Sequence, residues 1–220
     1  MAHIINAESP RIFADEAKKL HIPLIHYSTD YVFDGTKREP YTEEDSAKPL
    51  SVYGTTKFAG EKSIQDTYSN HLIFRTSWVY SRKGRNFLTT MIRLFQEREE
   101  ISIIDDQFGA PTSAIMLAEA TIKILEQLRM KKEDEIRWGL YNLTPTGSTS
   151  WYRFALEILK EVKRDSQISP NLVIKSIHPI PTSEYPTPAK RPMNSRLDVS
   201  KIIREFQIEL PSWLNTIKDC

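Results

Sequence analysis

Two linked stretches decide how this chain folds: Ile22-Pro23-Leu24-Ile25-His26-Tyr27-Ser28-Thr29-Asp30-Tyr31-Val32-Phe33-Asp34-Gly35, and Tyr53-Gly54-Thr55-Thr56-Lys57. Ile22 to Tyr27 is short, apolar and rich in branched side chains, as a buried parallel strand is. Its C-terminal end delivers Ser28 and Thr29, where open α/β sheets place their chemistry. Asp34 to Pro49 is polar and carries Gly35, Pro40, Pro49 and Glu43-Glu44-Asp45, so it reads as a surface loop. Ser51 can cap a helix running to about Tyr68, and on that helix Tyr53 and Lys57, four residues apart, share one face. A free phenol has a pKa of about 10, and a shift of about three units amounts to roughly 4 kcal/mol. A lysine charge about 5 Å away, at an effective dielectric of about 20, contributes on the order of 3 kcal/mol toward the phenolate. The spacing therefore suggests a phenol tuned by its lysine to act as a general acid.

The remaining elements follow in order. Ser9-Pro10 predicts a helix start, with Ser9 as N-cap and an apolar face through Ile12, Phe13, Ala17 and Leu20 that ends near His21. His71 to Thr76 is a second buried strand leading to Ser77-Trp78-Val79-Tyr80. Helical spacing recurs from Phe87 to Glu99, from about Ser113 to Arg129, and in Trp151, Phe154, Ala155, Ile158, Leu159 and Val162. Ile101 to Ile104 and Gly139 to Leu143 are strand candidates, and Leu172 to His178 alternates weakly. Five prolines from Pro179 to Pro192 argue against regular structure there and for a stiff loop packed over a site. Short helices around Val199 to Phe206 and Ser212 to Lys218 close the chain. This order indicates an α/β fold with a Rossmann-like parallel sheet and a smaller mixed α/β lobe suited to binding substrate. The expected division is 1–80 for the sheet half that carries Thr29, Tyr53 and Lys57, and 81–220 mainly for the lobe, with some segments returning to the sheet.

Composition bounds the function. The chain has 220 residues, 30 basic and 29 acidic side chains and a formal net charge of +1, so no global field draws in nucleic acid or an acidic membrane. The only cysteine is Cys220, which excludes an intrachain disulfide and fits a reducing compartment. No apolar run approaches the ~18 residues of a membrane span, and Met1-Ala2-His3 does not open a signal peptide, so a cytoplasmic protein is expected. His3, His21, His26, His71 and His178 show no metal-ligand spacing, and no metal is expected.

A hydroxyl at a strand end, then a loop, then a helix with Tyr-x-x-x-Lys is the arrangement of short-chain dehydrogenase/reductases. The words HYSTDYVFDG, PYTEEDSAKPLSVYGTTKFAGEK, LIFRTSWVY, DDQFGAPT and PTSEYPTPAKRPMNSRLD are more specific. Together they closely resemble the dTDP-4-dehydrorhamnose reductases, an extended branch of that superfamily, across essentially the whole chain. The resemblance implies hydride transfer from NADPH or NADH to the 4-keto group of a dTDP-4-keto-6-deoxy sugar, giving dTDP-L-rhamnose. It implies that Thr29 hydrogen-bonds the reacting carbonyl, that Tyr53 donates the proton, and that Lys57 lowers the phenol pKa and holds the nicotinamide ribose. It also places Trp78 beside the sugar and Arg191 near the nucleotide phosphates; Tyr31 and Asn86 are further candidate substrate contacts. Plainer roles stand beside each: Thr29 as a turn cap, Trp78 and Tyr31 as packing, Arg191 as a surface ion-pair residue and Asn86 as a turn residue.

One departure matters. Reductases of this kind bind the cofactor diphosphate on a glycine-rich turn, whereas Gly35, Gly54, Gly60, Gly84, Gly109, Gly139 and Gly147 form no such motif. The resemblance starts near Ile5-Asn6-Ala7, partway into the family pattern. The expectation is therefore a truncated chain whose sheet lacks its first strands and exposes an apolar edge, with doubtful activity alone. A homodimer, or a partner chain completing the sheet, is an expected arrangement. Two other readings stay open: a non-catalytic subunit like the regulatory subunit of methionine adenosyltransferase, which resembles these reductases, and a related nucleotide-sugar epimerase or dehydratase.

Overall fold

The computed structural model describes residues 1–132, 135–185 and 191–219. The strands are β1 (Leu24–Thr29), β2 (His71–Thr76), β3 (Val79–Tyr80), β4 (Glu100–Ile104), β5 (Phe108–Gly109), β6 (Thr112–Ser113), β7 (Gly139–Asn142), β8 (Thr149–Ser150) and β9 (Ser176–Ile180). The helices are α1 (Ser9–Leu20), α2 (Val52–Thr67), α3 (Phe87–Glu97), α4 (Ala114–Met130), α5 (Trp151–Val162), α6 (Ser200–Phe206) and α7 (Trp213–Thr216).

β1, β2 and β7 form a parallel sheet in that order, with Leu24 opposite His71 and Leu72 opposite Gly139. All of β2 is buried, as its place between two strands and two helical layers requires. Strand alternation then sorts its side chains. Leu72 and Phe74 pack with Tyr141 and Leu143 against α4 and α6, through Met116, Leu117, Ile124, Ile202 and Phe206. Ile73 faces the opposite way, onto Ala14 and Ala17 of α1 and Ile64 of α2. Each fully buried Leu, Ile or Phe contributes about 1.5–3 kcal/mol, so these two layers carry the sheet. β1 is an edge strand, and Ile12 and Phe13 of α1, Ile22 and Tyr27 stay exposed beside it.

A second core lies under α3 and α5, where Tyr80, Leu88, Met91, Phe95, Phe154 and Ile158 meet Trp213 and Ile217. The parallel pair β4–β9 borders it. The sequence places a strand over Leu172 to His178 and no regular structure beyond Pro179. The strand instead runs Ser176–Ile180, with Pro179 opposite Ile103, and Thr182–Glu184 forms a 3-10 turn. Proline is accepted there because β9 pairs only with β4, and an edge strand needs no donor on its outer side.

The N-terminus also differs from the sequence reading. Ser9 is not an N-cap, because a π turn over Ile4–Glu8 precedes it and Glu8 and Ser9 are both helical. Pro10 has no N–H to offer the carbonyl four residues back, and the helix widens there. The Ser9 amide reaches the carbonyl of Ile4, and its hydroxyl bonds the same oxygen at 2.9 Å.

Beneath the sheet's C-terminal end, Arg75 of β2 meets Glu61 of α2 through Nε–Oε1 at 3.0 Å and Nη2–Oε2 at 2.6 Å. The two side chains are only 3% and 1% exposed. Ser28 of β1 donates its hydroxyl to the same carboxylate. Removing one partner of a buried pair strands the other charge, which costs about 3–5 kcal/mol. Arg75→Leu should therefore lower the unfolding free energy by about that amount in a denaturant titration, well beyond the effect of cutting the exposed Arg11–Asp15 pair.

Candidate active site

The C-terminal ends of β1 and β2 open into a hollow of about 260 Å³ whose walls include Thr29, Asp30, Tyr31, Tyr53, Trp78, Trp151 and Arg191. Thr29 ends β1, and its hydroxyl accepts the Tyr31 amide at 3.2 Å, so the residue also caps the 3-10 turn Asp30–Val32. Ser51 caps α2 by accepting the Gly54 amide, which fixes the helix start and sets Tyr53 in its first turn. Tyr53 and Tyr31 pack edge to face, with ring centroids 6.1 Å apart.

The electrostatics differ from the expectation that Lys57 depresses the phenol. Lys57 Nζ donates to the Tyr27 carbonyl at 2.6 Å and lies 3.1 Å from His26 Nε2. Burial pushes the Tyr53 pKa up, with the Asp30 charge adding to the rise and the Thr29 hydroxyl opposing it. Burial likewise lowers Lys57, against the Glu61 carboxylate one turn along α2, which raises it. The i,i+4 spacing is realised on the helix, but the ammonium is turned toward β1 rather than toward the phenol. Tyr31 is pushed up to about 12, mainly by burial.

Trp78 stacks face to face on Trp151, with centroids 3.5 Å apart and planes 9° from parallel. Its backbone is left-handed, at φ 47°, a conformation that costs a residue with a Cβ about 1–2 kcal/mol. The frame is fixed by the Thr112 amide on the Trp78 carbonyl and by the Ser77 hydroxyl on the Ala110 carbonyl. Gly109 lies against the indole: a Cβ there would sit 2.5 Å from Trp78 Cε2. Arg191 borders both this hollow and a neighbouring one of about 600 Å³, which Phe87, Arg98, Trp151 and Tyr185 also line. Its approach depends on Gly35, at φ 77°, where a Cβ would lie 2.4 Å from Pro192 Cβ.

The structure thus gathers Thr29, Tyr31, Tyr53, Trp78 and Arg191 around one hollow, whereas Lys57 is not in its wall and its ammonium rests on the Tyr27 carbonyl. Asn86 is not among the residues lining either hollow. Its side chain caps α3, accepting the Thr89 amide and donating to the carbonyls of Ser81 and Lys83. Asp30, Gly109 and Trp151 escaped the sequence reading. Trp151 was legible only as part of an apolar helix face, and Asp30 only as a neighbour of Thr29. Among the described residues no group of three or more His, Cys, Asp or Glu is arranged to hold a metal ion, and no helix is long and apolar enough to cross a membrane.

The family model for the RmlD substrate binding domain matches residues 1–220. The chain belongs to that family. It is 45% identical over 217 residues to the dTDP-4-dehydrorhamnose reductase of Escherichia coli K12, spanning 99% of this chain and 71% of that protein. It is 42% identical over 220 residues to the reductase of the same name from Burkholderia thailandensis, spanning 100% and 74%. A crystal structure of the Bacillus anthracis dTDP-4-dehydrorhamnose reductase in complex with NADP superposes with a TM-score of 0.83 at 33% identity, over 97% of this chain and 70% of that one. The α/β architecture with a parallel sheet is that of these family members.

Two outcomes follow from this geometry. Gly109→Ala should displace Trp78 and weaken the near-ultraviolet circular dichroism of the stacked Trp78–Trp151 pair, while the far-ultraviolet spectrum stays intact. For His26, burial and the Lys57 charge lower the pKa to about 4. The unfolded chain takes up that proton near pH 6.5, so below this point it binds more protons than the folded chain. Stability therefore falls as pH drops from 6.5 toward 4, by at most about 3 kcal/mol. The slope of unfolding free energy against pH in this window should flatten in His26→Gln.

Proposed function

We propose that the chain binds a dTDP-4-keto-6-deoxy sugar and presents its 4-keto group for reduction to dTDP-L-rhamnose, in keeping with relatives named dTDP-4-dehydrorhamnose reductase. One observation carries this reading: a hydroxyl and a phenol meet in a hollow walled by stacked tryptophans, and Arg191 joins it to a larger aromatic and basic hollow. The sugar lies in the smaller hollow against Trp78, with its carbonyl oxygen toward Thr29 and Tyr53. The nucleotide occupies the larger one, where Phe87, Trp151 and Tyr185 offer faces for a base, and Arg98 and Arg191 suit a diphosphate.

The cofactor is a reduced nicotinamide, NADPH by likeness to the NADP-bound relative, and it supplies the hydride. The residues present fit part of it. Tyr53 at the hollow and Lys57 one turn along α2 suit the nicotinamide ribose, whereas among the described residues no glycine-rich turn joins a strand to a helix to cradle a diphosphate. Thr29 donates to the carbonyl oxygen, where negative charge develops, and this favours the transition state over the ground state. Tyr53 delivers its proton to the resulting alkoxide. A high phenol pKa makes that proton harder to release, so Lys57 must turn from the Tyr27 carbonyl toward the ribose and the phenol for Tyr53 to reach its donor role.

We assign residues 1–80 to the sheet half and 81–220 mainly to the substrate lobe, with α4, β7 and α6 returning to the sheet. A homodimer, or a complex with a partner chain at β1, is the expected assembly, and the setting is cytoplasmic. The test is calorimetric titration with dTDP and with the keto sugar, then turnover after fusing the chain to the glycine-rich half of the E. coli relative. Binding of both ligands and oxidation of NADPH by the fusion are expected, with kcat about 100-fold lower in Tyr53→Phe. A fusion that binds NADPH yet leaves the keto sugar unreduced overturns the reading.

A further inference from the structure

The mechanism above leaves one buried acid without a task. Asp30 is 3% exposed and lines the same hollow as Thr29 and Tyr53. Its Oδ1 receives the Thr29 hydroxyl at 3.0 Å, and its Oδ2 is buried with no hydrogen-bond partner within 3.5 Å, the Ser195 hydroxyl being a more distant neighbour of the carboxyl. Thr29 Oγ1 already accepts the Tyr31 amide at 3.2 Å.

A hydroxyl has one proton to give. While Asp30 is a carboxylate, the Thr29 proton is held in a charge-assisted bond, roughly twice as strong as a neutral one. Thr29 then meets a substrate carbonyl with lone pairs only, and the carbonyl brings lone pairs as well. Once Asp30 is a neutral acid, its own O–H can point at Thr29 Oγ1, and the Thr29 proton is released to point elsewhere.

We propose that Asp30 is a positioning residue that acts through Thr29: as a neutral acid it turns the Thr29 hydroxyl into a donor toward the substrate oxygen, and its ionisation withdraws that donor. The inference rests on the reading of Thr29 as the carbonyl's partner. The only transfer it requires is one proton between the Asp30 carboxyl and solvent.

The surroundings favour such a switch near neutrality. Burial pushes the Asp30 carboxyl up to about 7, and the hydroxyls of Ser195 and Thr29 offset only part of that. The ionisable groups that face it are Tyr31 on its own turn and Tyr53 from α2, both with raised pKa values and so neutral near pH 7. Arg191, from the loop above, faces Tyr31. Between them these neighbours leave Asp30 as the group of the cleft that changes charge in this range.

Two measurements test it. In the chain labelled with 13C-carboxyl aspartate, the Asp30 resonance, assigned by its loss in Asp30→Asn, should titrate well above the ordinary carboxylate range. In Thr29→Val, which lacks the donated hydroxyl, that midpoint should move further up; a midpoint that stays put or falls overturns the coupling. The second measurement is calorimetric titration of the dTDP-linked 4-keto-6-deoxy sugar and of dTDP alone, across neutrality. Affinity for the keto sugar should weaken about fivefold as Asp30 ionises, the scale of one hydrogen bond, while dTDP shows no such step. Asp30→Asn, whose amide N–H donates in place of the acid, should bind the keto sugar without the step. A wild-type affinity without the step, or a step retained in Asp30→Asn, overturns the proposal. Failure of dTDP itself to bind would instead remove the reading of the cleft as a dTDP-sugar site, and the carboxyl titration would still decide the proton coupling.

Discussion

The buried contact of Arg75 with Glu61 is the interaction on which the site depends. It joins the central strand β2 to α2, and the Ser28 hydroxyl brings in β1, so one carboxylate ties the three elements that deliver functional side chains. The guanidinium also lies 5.0 Å from the Phe33 ring centroid, which draws in the turn after Thr29. Burying two charges is costly, and pairing them seldom exceeds what a well-packed apolar pair would provide. What the pair supplies is geometry. A bidentate fork fits one orientation of its carboxylate, whereas an apolar contact tolerates sliding. Thr29 follows Ser28 and Lys57 precedes Glu61 by one turn, so the register of β1 against α2 sets the register of the chemistry.

Around that junction the site is built by close approach. Gly109 lets an indole lie flat on the backbone, and Gly35 lets Pro192 bring Arg191 to the cleft. Trp78 accepts a left-handed backbone at the end of its strand region so that its ring can face Trp151. Together these make a rigid aromatic wall opposite a polar one formed by Thr29, Asp30, Tyr31 and Tyr53. A pyranose ring, with C–H bonds on one face and oxygens at its rim, fits between two such walls.

Much of this was legible in the sequence, because the signals were local. Branched residues running into Ser28 and Thr29 marked the strand, Ser51 marked the helix start, and Tyr53 with Lys57 marked one helix face. What stayed hidden depended on contacts distant in sequence. Trp151 pairs with Trp78 across the chain, and nothing in its helix pattern separates a cleft wall from core. Asn86 read equally as a substrate contact or a turn residue because amides serve both purposes, and only its bonds to Ser81, Lys83 and Thr89 identify it as a cap. The direction of Lys57 was not legible because i,i+4 spacing fixes a shared face but not the course of a four-carbon chain, which here bends to a main-chain carbonyl. Pro10 was read as opening a helix when its missing donor instead widens one already begun.

The exposed side of β1 has a consequence for colloidal behaviour. Among the described residues β1 is paired on one side only, the Lys57 ammonium takes its Tyr27 carbonyl, and Ile12, Phe13 and Ile22 are exposed hydrocarbon. Proteins commonly keep such edges apart through long-range repulsion between like-charged molecules. With 30 basic against 29 acidic groups this chain has almost none near neutrality. That repulsion is weakest near the balance point at about pH 7.8, and acidic side chains added along α1 strengthen it without touching the cleft.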